Sequence, residues 1–589
     1  MYRSSKRTIV STCVIAASLA IGMTTANAED QPAGRQEVYA AAAAEFGVPD
    51  SVLLGVSYLE SRWDVNAGAP STSAGYGPMH LTDVTAANTG GTHHDDGTED
   101  PRGDDARPAL HPQAGEPDLS APALRTVDRA AELTHVDTAT LRSDPAQNIR
   151  GGAALLAQHQ RDLGIHSDKP ADWYGAVARY SGATDTATAS AFADEVFTTM
   201  AQGVERVTDD GQQVRLAARP DVAPNTAQLG ELGLRPSNDD GTECPRGLGC
   251  EWIPAPYAAF GAGDYGNHDL ANRPESQKIN YIVIHDTEGS YDTTLRLVQD
   301  PTYVSWQYTL RSADGHVAQH VKAKDVAWQA GNWYVNSKSI GLEHEGFAAK
   351  GAWYTEALYR SSAKLVRYLA EKYRIPLDRQ HIIGHDNVPG TIPSTVAGMH
   401  WDPGPYWDWA HYFELLGAPF HGIDTPRAGL VTIKPDYRSN KPAFTGCVTA
   451  GVPCDPHGSG SVILHTEPSA DAPLLTDAGL HPDGSPGTMH ISDHSSRVET
   501  GQQYAIAEQR GDWVAIWYLG QKGWFHNPSR SPAAVYSFGM VATPKPGKAS
   551  IPVYGRAYPE AAAYPANIRP QAVTPLQYSL LANQKYAVG

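Results

Sequence analysis

Between residues 36 and 203 apolar positions recur at helical spacing in EVYAAAAAEFGV, SVLLGVSYLESRW, NIRGGAALLAQHQRDLG, WYGAVARYSG and AFADEVFTTMAQG, with turns between them, which predicts a helical unit. Inside it, residues 88–120 lose all periodicity in NTGGTHHDDGTEDPRGDD. A stretch so dense in Gly, Asp, Pro and His reads as a solvated insertion, and His93, His94, Asp95 and Asp96 there as part of an acidic loop rather than a metal site. From 208 to 277 Pro, Gly, Asn and Asp replace periodic apolar residues, which predicts a linker. With no apolar face there to weld its neighbours together, each is expected to fold and act alone. The pattern then turns to strands. Residues 279–284 form an apolar, β-favouring run that ends in His285, Asp286 and Thr287. VSWQYTLRSADGHVAQHV gives two alternating runs joined around Asp314 and Gly315, a hairpin. SIGLE alternates, with Ile340 and Leu342 on one face and Gly341, Glu343 and Glu345 on the other. TEALYRSSAKLVRYLAEKY places Leu358, Leu365, Val366, Leu369 and Tyr373 at helical spacing ahead of Pro376, and Ile382 and Ile383 mark a further strand. A mixed sheet with covering helices is expected. Beyond Pro426 the chain reads as short strands and turns.

The chemistry concentrates between residues 279 and 409. A histidine at the mouth of a buried strand, His285, sits on rigid backbone. His381 and His385 flank a strand about 13 Å apart at ~3.3 Å per residue, so they cannot share one ion, and His385, beyond Gly384 where loops build sites, is the better ligand. Asp402 opens DPGPYWDW, whose prolines stiffen the backbone that carries the carboxylate. Two imidazoles and one carboxylate suit a catalytic zinc with the fourth position left for water. Glu343 points where Gly341 leaves room, and a carboxylate beside that water can take its proton during attack on a carbonyl and return it to the leaving amine. Trp328, Trp333, Trp401, Trp407 and Trp409 are expected mostly in the core, with one or two suited to sugar stacking.

INYIVIHDTEG, SIGLEHEG and HIIGHDNVPG…MHWDPGPYWDW together resemble the zinc-dependent N-acetylmuramoyl-L-alanine amidases related to phage amidase-lysozymes and animal peptidoglycan-recognition proteins. The likeness covers about a quarter of the chain and extends to VSWQYTL and DVAWQAGN. It implies that His285, His385 and Asp402 bind zinc and that Glu343 is the general base for cleaving the amide between the lactyl group of N-acetylmuramic acid and L-alanine. Trp306 stands where some members place a catalytic tyrosine, and those members generally lack the glutamate of SIGLE. His400 stands where bacterial members often carry a carbonyl-polarising lysine, and a histidine can donate similarly if protonated or in the right tautomer.

The order LESRW, GYGPMHL, NIRGGAALLAQ, AVARYSG resembles lytic transglycosylases and related lysozyme-like glycosidases, which implies that Glu60 is a buried acid and base. Two positions depart from that pattern: His80 replaces the usual glutamine and Ser181 a common asparagine. GDWVAIWY and KGWFHN resemble bacterial Src-homology-3-like wall-binding modules, small β-barrels. The stretch after Pro546 resembles the start of a second copy of that module and stops at Gly589; a half-barrel would leave an open strand edge, so either the chain is truncated or its tail pairs with the preceding barrel. The expected organisation is multidomain: a signal peptide at 1–28, a lysozyme-like helical domain at 29–207, a linker with a small disulfide loop at 208–277, an α/β amidase domain at 278–420, a wall-binding β domain at 421–545 and a partial second β module at 546–589.

Charge and cysteine usage add the setting. Arg3, Lys6 and Arg7, the apolar run 9–23 and Ala26-Asn27-Ala28 read as a secretory signal, and no later stretch is expected to span a membrane. Its removal takes three positive charges and no acid, so the formal net charge moves from −19 to −22. That disfavours nucleic acid as a partner and leaves recognition of peptidoglycan to specific contacts. Cys13 lies in the signal, and the other four cysteines fall as Cys244 with Cys250 and Cys447 with Cys454, which in an oxidising destination favours two local disulfides over a zinc knot. A secreted or wall-associated monomeric peptidoglycan hydrolase is expected. Two readings of other kinds stay open: a non-catalytic peptidoglycan receptor, and a glycosidase acting through Glu60.

Overall fold

A computed structural model describes residues 34–87, 102, 119–238, 241–261, 264–423, 425, 428–558, 560–564, 566 and 569–588. The expected signal peptide and His93, His94, Asp95 and Asp96 lie outside these residues.

The helical unit comprises α1 (Arg35–Phe46), α2 (Asp50–Ser61), α3 (Thr126–Thr134), α4 (Thr138–Ser143), α5 (Pro145–Asp162), α6 (Tyr174–Tyr180) and α7 (Thr186–Gln202). Helix α2 is its axis: every residue from Val52 to Ser61 is buried, because α5 and α7 close over the same apolar core. The hairpin Val204–Val207 with Gln213–Leu216 adds Val214 and Leu216 to that core, so the chain past residue 207 still belongs to this unit.

The central domain is a six-stranded mixed sheet in the order β6-β2-β5-β3-β4-β1, built from β1 (Cys250–Trp252), β2 (Tyr281–Asp286), β3 (Tyr308–Leu310), β4 (Val317–Gln319), β5 (Ser339–His344) and β6 (Ile382–Gly384). Strands β6, β2, β5 and β3 run parallel, and β3 meets β4 antiparallel across the expected hairpin. Parallel strands are covered on both faces, which is why β2 and β5 read as nearly unbroken buried runs. Helices α8 (Tyr291–Val298), α9 (Glu356–Tyr373) and α10 (Trp409–Leu415) flank the sheet. On α9, Leu358, Leu365, Val366 and Leu369 face a core with Trp407, Trp409, Tyr412 and Phe413.

The stretch expected to be a linker is integral to this domain. It supplies β1, held by a disulfide from Cys244 to Cys250, and it supplies Arg273. The buried Arg273 guanidinium donates to the carbonyls of Ala323, Asp325, Asn336, Ser337 and Ser339, solvated by peptide dipoles in place of water.

Next come β7 (Leu430–Ile433), β8 (Gln503–Arg510), β9 (Trp513–Tyr518), β10 (Gln521–His526) and β11 (Ala534–Ser537), an antiparallel sheet in the order β10-β9-β8-β7-β11, and the second disulfide, Cys447 to Cys454. In the tail, Tyr586–Val588 pairs with Met540–Ala542, and Pro575–Leu581 with Ser550–Tyr554. The tail also reaches back to the central domain: Asn332 Nδ2 donates to the carbonyls of both Pro389 and Gly555.

The expected independence of the helical unit does not hold. Ala357 of α9 sits in the core of that unit, Arg360 of α9 bonds Glu195 of α7 at 2.8 Å, and Trp353 Nε1 donates to Ala69 O at 2.9 Å. The contact is made by α9, by the 347–355 loop and by the hairpin turn, where Ser312 bonds Thr72 and His316 bonds Thr188.

Candidate metal centre

Strands β2 and β5 lie side by side in register, with His285 opposite Glu343, so both side chains emerge at one carboxyl end of the sheet. His385 follows β6, the neighbour of β2 on its other side, and Asp386 N donates to the Asp402 carbonyl, tying that strand end to the 402 turn. The result brings His285, His385 and Asp402 together, with one ligand atom of each within 4.8 Å of the others and all three buried. His285 Nδ1 lies 3.2 Å from Asp402 Oδ2, and His385 Nδ1 3.1 Å from Asp402 Oδ1. Glu343 Oε1 stands 3.8 Å from His285 Nδ1.

The donor set fits a cation. His285 Nε2 lies 2.5 Å from Gln329 Oε1, an oxygen that can only accept, so the ring carries its proton on Nε2. Gln329 is held in that orientation by its own amide nitrogen, which donates to Ser339 Oγ at 2.8 Å. His285 Nδ1 is then a lone pair facing a carboxylate oxygen, an arrangement that a shared cation satisfies. The surroundings are acidic too. Burial, then Glu288 and Asp402, pushes the Asp286 carboxyl well above the ordinary range, and burial pushes Glu288 up to about 7. Carboxylates crowded this closely disfavour one another's charge until a cation joins them.

The neighbouring residues divide by face. His344 points away from the centre: its Nδ1 is 2.9 Å from His285 O, its Nε2 is 2.7 Å from Ser362 Oγ on α9, and burial holds it down at about 3, so it is neutral structure. Glu345, beyond the end of β5, accepts from the backbone N–H groups of Tyr291 and Ser312. Glu343 is therefore the SIGLE carboxylate that faces the trio. His400 lies beside it, its ring centroid 5.2 Å from that of His385. His381 is 2.6 Å from Asp378 Oδ1 and stacks on Tyr281, away from the trio. Trp306 is buried with its Nε1 donating to Thr309 Oγ1, so it belongs to the core.

Glu60 is not part of this centre. It is 2% exposed on α2, with Oε2 3.1 Å from His80 Nδ1. Burial raises its carboxyl, and the bond to His80 pulls the other way.

Gln329, Tyr354 and Asp286 bond the trio or its immediate neighbours and were given no role in the sequence analysis. Tyr354 O–H donates to Asp286 Oδ2 at 3.1 Å, and Asp286 N donates to Asp402 Oδ2 at 3.3 Å. Gln329 and Asp286 lay within the quoted blocks DVAWQAGN and HDTEG, but nothing local marks an amide that orients a histidine across a sheet.

Residues 275–405 match the family described as N-acetylmuramoyl-L-alanine amidase. Over 157 residues the chain is 30% identical to N-acetylmuramoyl-L-alanine amidase A of Achromobacter lyticus, an alignment that covers 24% of this chain and 85% of that protein. Over 114 residues it is 32% identical to 1,6-anhydro-N-acetylmuramyl-L-alanine amidase AmpD of Citrobacter freundii, covering 18% of this chain and 55% of that one. A solved structure of a selenomethionine AmpD derivative aligns over 28% of this chain and 94% of its own at 23% identity, with a TM-score of 0.21. With its strand-end histidines, its aspartate and its match to N-acetylmuramoyl-L-alanine amidase A of Achromobacter lyticus, the chain belongs to the N-acetylmuramoyl-L-alanine amidase family.

Proposed function

We propose that the chain is a zinc-dependent peptidoglycan hydrolase that cleaves the amide between the lactyl group of N-acetylmuramic acid and L-alanine of the stem peptide. The observation that carries this reading is the buried trio of His285, His385 and Asp402 with Glu343 facing it. Zinc held by the trio supplies Lewis acidity toward a water and the scissile carbonyl. Glu343 takes the proton of the attacking water on a carboxylate oxygen and passes it to the amide nitrogen as the C–N bond breaks, so the amine leaves neutral. His400 donates toward the carbonyl oxygen as negative charge develops there. Gln329 keeps His285 in the tautomer that offers Nδ1.

The leader at 1–28 directs export, the product acts outside the cell or on the wall as a monomer, and the C-terminal β module contacts peptidoglycan. A complete donor set weighs against a purely receptor role, since a receptor has no use for a general base beside a metal trio. Mass spectrometry of digested sacculi tests the reading. Free stem peptides should appear with the intact protein, vanish with a chelator and return with added zinc. Undigested material under all three conditions would leave only the receptor.

A further inference from the structure

The family pattern around Glu60 suggests a second, glycan-cleaving centre, yet its surroundings are built for another purpose. Glu60 and His80 are 2% and 6% exposed and face each other at 3.1 Å. The other ring nitrogen of His80 lies 2.6 Å from Ser71 Oγ and 3.1 Å from Ser73 Oγ, so the pair anchors the 69–75 loop. The fit is close: a Cβ on Gly75 would stand 2.0 Å from the His80 ring. Ser181 turns its hydroxyl back onto Ala178 O, and Tyr180 O–H bonds Met79 O, so neither side chain is offered to a sugar.

What the loop grips belongs to the central domain. Trp353 Nε1 donates to Ala69 O, Thr72 N donates to Trp353 O, both at 2.9 Å, and the indole meets the His80 ring edge-on with centroids 5.5 Å apart. Thr72 also bonds Ser312, whose N–H holds Glu345. Trp353 is 6% exposed and lies against His80, so it covers the histidine that faces Glu60. The next residue, Tyr354, bonds Asp286, and Asp286 bonds the candidate metal ligand Asp402.

We propose that Glu60 and His80 are positioning residues for the amide-cleaving centre, clamping the 69–75 loop around Trp353 and so holding Tyr354 on Asp286 behind Asp402. The inference rests on the amidase reading above. It assigns the helical unit a part in the one active centre and no hydrolysis of its own.

The test uses the full-length protein. His80→Ala and Trp353→Ala should each lower kcat on a short soluble muropeptide about 10- to 100-fold with KM little changed, as misplacement near a reacting centre does. Zinc affinity, read by chelator competition, should weaken about tenfold, as loss of support behind a ligand does. The double variant should be no worse than Trp353→Ala alone, because both act through one contact. Trp353→Phe keeps a ring against His80 and drops only the bond to Ala69, so it tests the clamp even where the alanine variants fail to fold; a smaller fall in kcat at unchanged KM is expected. Wild-type digests of sacculi should contain free stem peptides and uncleaved glycan. Cleaved glycan that disappears in Glu60→Gln, unchanged kcat in both His80→Ala and Trp353→Phe, or additive losses in the double variant would each overturn the proposal. Absence of stem-peptide release by the wild type would instead overturn the amidase reading beneath it.

Discussion

A single proton decides how His285 is used. Gln329 accepts from Nε2 and leaves Nδ1 facing Asp402, so the orienting residue sits on the far side of the ring from the ligand atom. Gln329→Met keeps the volume and removes the acceptor. It should weaken zinc binding about 10- to 100-fold, measured by chelator competition, while the melting temperature changes little. Glu343 and Glu345, two residues apart, carry different assignments. Glu343→Gln should retain zinc and lower turnover about 10²- to 10⁴-fold, whereas Glu345→Gln, which disturbs a carboxylate already committed to two backbone donors, should act mainly on stability. Equal losses of kcat with equal melting temperatures would move the base to the other position. The positions of the three candidate ligands and Glu343 were legible in sequence because each lies near a strand end or opens a stiff turn, while the roles proposed for them came from the family likeness. Gln329 was not, because its meaning comes from a strand 44 positions away in the chain.

Elements were legible in proportion to their apolar periodicity. α9 stands out through four leucines and valines at helical spacing and is capped by Thr355, whose hydroxyl accepts from Leu358 N and donates to Ser312 O. Thr355→Ala removes the cap and leaves that carbonyl unpaired. It should cost about 1 to 2 kcal/mol in urea unfolding, and a loss under ~0.5 kcal/mol would show the cap to be idle. α3 and α4 escaped notice because they bury few side chains: Val127, Ala130 and Thr134 on one, Leu141 on the other. β1 escaped because three residues cannot show a period, and the disulfide that ends in it reads from sequence as an isolated loop.

At the scale of the molecule, the helical unit and the central domain share buried charge. Arg360 bridges Glu356 at 2.7 Å and Glu195 at 2.8 Å, and Arg360→Ala should cost about 3 kcal/mol by leaving carboxylates buried with fewer partners. A shift within 0.5 kcal/mol in chemical unfolding would show the bridge to be dispensable. His411 on α10 lies 2.6 Å from Glu356. Burial and Arg62 oppose charge on His411, but Glu356 and Glu414 outweigh them and hold it above the ordinary imidazole range. Burial pushes Glu356 up, and His411, Arg360 and Arg62 more than reverse it, holding it well below the ordinary carboxylate range. A pKa raised by folding gives stability that is complete below the unfolded imidazole value, about 6.5, and is lost as pH climbs through the folded one. The melting temperature should therefore fall above about pH 6.5, and His411→Gln should flatten that part of the profile; unchanged slopes would assign it elsewhere. Glu356 contributes in the opposite sense, losing its share as pH falls through its depressed value. None of this sharing was visible in sequence, because an interface inside one chain has the same composition as the surface of a domain that stands alone. Arg273, pinned to five carbonyls from a stretch that reads as a tether, has a practical corollary. A protease that nicks the backbone between residues 273 and 277 should leave both fragments clasped together, co-eluting in native chromatography and parting only in denaturant.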